Sequence, residues 1–61
     1  MDVVNINGSF FIMKDNNFFR SVYDFRTGEK SVSFVEYIDL ANCFQSEQSA
    51  RYTMEMLNND L

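Results

Sequence analysis

The sequence predicts an α+β fold: a four-stranded antiparallel β-meander followed by one C-terminal α-helix. Three observations predict it. Short turn signals, Asn7-Gly8, Asp15-Asn16-Asn17 and Thr27-Gly28, divide the first 38 residues into runs rich in Val, Ile, Phe and Tyr. Those runs are strand-like in composition, although apolar residues fall on both faces and alternate poorly with polar ones. After residue 45 the spacing changes to that of a helix, and Ser46 stands at its start.

The first hairpin joins Val3-Val4-Asn5-Ile6 to Ser9-Phe10-Phe11-Ile12-Met13 through Asn7-Gly8. A two-residue type I′ turn needs positive φ at both central positions, which Asn and Gly supply. Asp15-Asn16-Asn17 makes the second turn, since Asn tolerates left-handed backbone. Thr27-Gly28 makes the third, between strands over 18–25 and 30–38. Turns of even length place directly opposite residues on one face. Face one then collects Val3, Phe10, Ile12, Phe19, Tyr23, Phe25, Val32, Phe34 and Ile38. Face two collects Val4, Ile6, Phe11, Met13, Phe18, Val22, Val35 and Tyr37, with Arg20 among them. Face one is the more aromatic and is assigned to the core, with Glu36 falling awkwardly opposite Phe19.

Asp39 to Phe44 reads as a helical turn or an extended bridge. Ser46 is a good N-cap for a helix over 47–57, because its hydroxyl accepts a free first-turn N–H. Glu47 suits the positive end of the helix dipole. Ala50, Met54, Leu57 and Leu61 form one stripe, and Tyr52 and Met56 lie on the other side. Asn58-Asn59 is the expected stop.

The 61 residues form a single domain, and a chain this short buries only about 60% of its unfolded surface. Disulfides, a metal or oligomerisation usually compensate. One cysteine and no histidine exclude an intrachain disulfide and the usual structural zinc ligands, so self-association is the remaining route. Seven Phe and three Tyr are spread over both sheet faces, and one helix covers only one face. A homodimer through face two is therefore expected, with Phe11, Phe18, Arg20, Val22, Val35 and Tyr37 as its contacts. Tyr52 and Met56 on the outer helix side, or the acidic turn near Asp24 and Glu29, are left for another partner.

No catalytic site, cofactor or metal is expected. Without His, no side chain has an unperturbed pKa near neutrality. Cys43 sits in an apolar context with no evident base and reads as a buried, inert thiol. Asp24, Glu29, Glu36 and Asp39 lack calcium-loop spacing and read as solvated carboxylates. Nine acids against five bases give a net charge of −4, which disfavours a phosphate-binding role. The longest apolar run, Phe10 to Met13, is too short to span a membrane, and the expected location is cytoplasmic.

Residues 41 to 50 read A-x-x-F-x-S-x-x-x-A, carried by Ala41, Phe44, Ser46 and Ala50. With the preceding strands this resembles small phage- and prophage-encoded accessory proteins, in which a short meander leads through this motif to a terminal helix. The resemblance implies a protein of the host-cell cytoplasm that binds and inhibits a host protein by surface occlusion. Its target class would include anti-phage defence systems such as CRISPR or restriction. The alternatives are a nucleic-acid-binding or metal-dependent nicking protein and a structural phage component.

Overall fold

The computed structural model describes residues 1–59. Four strands form one antiparallel sheet in the order β1-β2-β3-β4: β1 Asp2–Ile6, β2 Ser9–Lys14, β3 Asn17–Asp24 and β4 Glu29–Val35. A 3₁₀ turn, η1, spans Ile38–Leu40, and the helix α1 spans Glu47–Asn59. The α+β meander expected from the sequence is the fold observed.

Two of the turns follow directly from their residues. Asn7 and Gly8 have φ of 53° and 86°, and Ile6 pairs with Ser9 across them. Asp15 and Asn16 have φ of 53° and 68°, and Lys14 pairs with Asn17. Both are two-residue connections with left-handed backbone at both positions, as the twist of the flanking strands requires.

The third turn differs from the expected Thr27-Gly28 pair. Asp24 lies opposite Glu29, so the loop has four residues, Phe25 to Gly28. Three bonds fix it. The Gly28 N–H donates to the Asp24 carbonyl (2.8 Å) and the Arg26 N–H to Asp24 Oδ1 (2.9 Å). The Glu29 N–H donates to Thr27 Oγ1 (3.3 Å). The face of each residue is preserved, but each pair slides by two. Phe34, not Glu36, faces Phe19.

β2 and β3 pair only at their turn ends, Met13 with Phe18 and Lys14 with Asn17. Beyond that the strands part, and residues 42–44 occupy the gap. Phe44 and Phe10 exchange both backbone hydrogen bonds (2.8 and 2.9 Å). The Asn42 N–H donates to the Phe19 carbonyl (3.0 Å), and the Asn42 side-chain oxygen accepts from the Ser21 N–H (3.3 Å). Both readings of the 39–44 segment therefore occur in succession: a helical turn, then an extended bridge.

The core lies on face one. Ile12, Phe19 and Ala50 are its buried centre, at 0%, 2% and 0% exposure. Val3, Phe10, Phe34, Phe44, Met54 and Leu57 close around them. Ala50, Met54 and Leu57 are the helix stripe the spacing predicted, while Leu61 lies outside the described residues. Ser46 caps as expected, its Oγ accepting from the Ser49 N–H at 3.2 Å. Arg51 donates twice to Glu47 Oε1 one turn below (3.0 and 2.8 Å). The helix includes Asn58 and Asn59, the residues expected to stop it, and Asn59 is its last described residue.

The expectation that all of face one is core needs correction. Tyr23, Phe25 and Val32 are exposed, and Ile38 belongs to η1. The physical reason is reach. A helix about 10 Å wide covers two strands spaced about 4.8 Å apart, not four. α1 lies against β1 and β2. The distal β3–β4 hairpin extends past it.

Candidate binding surface

The exposed apolar groups of face one, Tyr23, Phe25 and Val32, stand on that overhanging hairpin. Phe25 is 90% exposed at the start of the four-residue loop. Its ring meets that of Tyr23, itself 53% exposed, edge-on at a centroid distance of 4.9 Å. In the ladder Tyr23 opposes Lys30, and Val32, two residues along β4, opposes Ser21. From Val32 the surface descends into a cleft of about 260 Å³ between the sheet and α1, lined by Phe19, Lys30, Val32, Thr53, Met56 and Leu57. Phe19, Lys30 and Val32 line it from the sheet, and Thr53, Met56 and Leu57 from α1. We call Phe25, Tyr23, Val32 and Met56 the apolar shelf; among the described residues lining the cleft, Lys30 is the charged one.

Charge around the shelf is local and mixed. Arg26 Nε stands 3.7 Å from Asp24 Oδ1, with both groups exposed. Asp24 and Glu29 are directly opposed at the hairpin end. Like charges in that position repel, and the Arg26 backbone and guanidinium offset this for Asp24. Elsewhere on face one, the Lys14 ammonium sits 5.7 Å from the Phe34 ring centroid.

Face two is more closed than its composition suggested. Phe11 is only 6% exposed and meets Phe18 edge-on at 5.9 Å. Phe11 therefore belongs to the interior and has almost no surface to offer a partner. Phe18, Arg20 and Val35 are half-buried. Arg20 Nη1 donates to the Leu40 carbonyl at 2.8 Å, which holds η1 against this side of the sheet. Val22 and Tyr37 are exposed, as is Leu40, which the sequence reading did not single out.

The two helix residues separate. Met56 belongs to the cleft, whereas Tyr52 is exposed beside a shallow hollow with Glu47, Gln48, Arg51 and Glu55. The structure thus brings one of the eight expected contact residues, Met56, to a cleft it shares with Val32, and Val32, Tyr23 and Phe25 had been placed in the core. Helix coverage was the signal that could have found the shelf, because a single helix leaves the far half of a four-stranded face bare.

Cys43 is exposed, not buried. The 42–44 segment is extended, so alternate residues point to opposite sides. Phe44 turns inward to stack on Phe19 (6.3 Å, 25°), and Cys43 is thereby turned outward. Among the described residues no group of three or more His, Cys, Asp or Glu side chains gathers as a metal site, and no helix is long and apolar enough to cross a membrane. Comparison with family models, with curated proteins and with solved structures finds no match for this chain.

Proposed function

We propose that this chain is a phage-type binding protein that inhibits a host protein by covering part of its surface, and that the shelf of Tyr23, Phe25, Val32 and Met56 is the contact. The observation that carries this reading is the exposure of Phe25 and Tyr23 on a hairpin fixed by its own turn bonds. Aromatic groups are enriched at the centres of protein interfaces, where a rigid ring fills a pocket at little entropic cost. An exposed apolar surface of this kind on a chain of 61 residues costs solubility unless something covers it. The phage-type origin rests on the A-x-x-F-x-S-x-x-x-A resemblance, whose residues serve the fold: Phe44 stacks on Phe19, Ser46 caps the helix and Ala50 is buried.

The test is comparative capture from bacterial lysate with the wild-type chain and Phe25→Ser. That substitution removes the ring without touching the core. A host protein retained by the wild type, lost by Phe25→Ser and functionally blocked by the purified chain at equimolar ratio supports the reading. Identical retention by both chains refutes it.

A further inference from the structure

β4 is an edge strand of the sheet. An edge presents a row of unpaired backbone N–H and C=O groups, and natural proteins blunt such rows with charges, proline, bulges or a covering element. The other edge, β1, lies against α1. Among the described residues, β4 is exposed throughout from Glu29 to Ser33. From Ser31 to Val35 it also carries no charge, proline or glycine. Its own charges, Glu29 and Lys30, stand before this stretch, and Glu36 follows it at the bend that ends the strand.

That arrangement is self-complementary in one register. If two copies meet antiparallel with Ser33 facing its own counterpart, Val32 falls opposite Phe34 of the second copy and Ser31 opposite Val35. Lys30 then falls level with Glu36, at the bend one residue beyond β4, and the two-fold axis sets that opposite-charge pair twice. Lys30, Val32 and Phe34 share face one, as their partners Tyr23, Ser21 and Phe19 on β3 require. A slide of two residues, centred on Val32, sets Lys30 against Phe34 and loses both opposite-charge pairs. Centring on Lys30 opposes two ammonium groups. An axis normal to the sheet leaves both α1 helices on the same side, so the two shelves meet along the seam.

We infer that β4 is a self-pairing edge: two copies of this chain join β4 to β4 about a two-fold axis at Ser33, forming one eight-stranded sheet. This is distinct from the host-protein contact, because it is measured on the purified chain alone. Light scattering over a concentration series should show the mass rising from 7.2 kDa toward twice that value. Lys30→Glu and Glu36→Lys should each weaken association by about tenfold or more, since each sets like charges opposite one another twice. The double variant, Lys30→Glu with Glu36→Lys, should restore it. Both positions are exposed, and circular dichroism confirms the fold of each variant.

The register has its own readout. Directly opposed residues of an antiparallel pair have Cα atoms about 4.5–5.5 Å apart, within disulfide range. In a Cys43→Ser background, Ser33→Cys should therefore cross-link on mild oxidation, and Ser31→Cys on the same strand should do so about tenfold more slowly or not at all. A mass fixed at 7.2 kDa up to millimolar concentration overturns the inference. A double charge variant no better than the single ones, or equal cross-linking at both cysteine positions, overturns it too.

Discussion

Truncating Phe19 and truncating Phe25 should have opposite consequences, although both are phenylalanines expected on one sheet face. Phe19 is 2% exposed and contacts two rings, Phe34 at 6.2 Å and Phe44 at 6.3 Å. Phe→Ala in a core costs about 3–5 kcal/mol, and the two lost aromatic pairs add about 0.5–1.5 kcal/mol each, so Phe19→Ala should cost about 4–8 kcal/mol. A chain of 61 residues has a total stability of about 3–9 kcal/mol at typical values per residue. The variant should therefore be largely unfolded or close to it. Phe25→Ala removes a ring that is 90% exposed and should change stability by no more than about 0.5 kcal/mol. Urea unfolding followed by far-ultraviolet circular dichroism measures both. With a slope near 1 kcal/mol per molar, the Phe19→Ala midpoint should fall by about 4 M or vanish, and that of Phe25→Ala should barely move. A Phe19→Ala loss below about 1.5 kcal/mol, or a Phe25→Ala loss above it, would refute the placement of the helix over one half of the sheet.

Three further outcomes follow from the same geometry. Ser46→Ala leaves the Ser49 N–H without its cap and should cost about 1 kcal/mol, read as a lower melting temperature. Cys43 should react with a thiol reagent under native conditions at a rate close to that in urea, and protection of more than about tenfold would show it to be buried. The amides of Phe10, Asn42 and Phe44 should be among the slowly exchanging hydrogens, and fast exchange at Asn42 and Phe44 would mean that the inserted segment does not hold the strands.

The legible parts of the fold were those written in local chemistry. Asn7-Gly8 specifies its turn because few other residue pairs tolerate two consecutive positive φ values. Ser46 and the Ala50, Met54, Leu57 stripe specify where α1 starts and which side it buries. The third turn was less legible. Thr27-Gly28 looks like a two-residue connection, but Asp24 and Thr27 bond the loop backbone and lengthen it to four residues. Competition of this kind between side-chain and ladder bonds is not visible in spacing alone. The site was the least legible. Strand alternation assigns Tyr23 and Val32 to the same face as Phe19, and it does so correctly. It says nothing about how far along that face the helix reaches, which is a tertiary fact. Cys43 was misread for a related reason: its side depends on Phe44 turning toward Phe19.

The inserted segment explains why the apolar surplus ends where it does. After β4 the chain crosses face two, where Arg20 holds the Leu40 carbonyl. It then enters the sheet between Phe10 and Phe19 and begins α1 on face one. One stretch of about ten residues therefore supplies cover to both faces, which a helix alone could not do. Its entry point is set by the level at which β2 and β3 part, and that level fixes where α1 can lie. Toward the loop end of β3 and β4, α1 shares a cleft with Lys30 and Val32 but does not cover them. That is where Tyr23, Phe25 and Val32 stand exposed, and where β4 keeps an uncovered edge. The shelf and the edge are consequences of the same crossing, so a partner protein and a second copy would meet on one end of the molecule. The edge pairs through backbone groups in the plane of the sheet, whereas the shelf offers side chains above it, and Val32 is the residue the two contacts share.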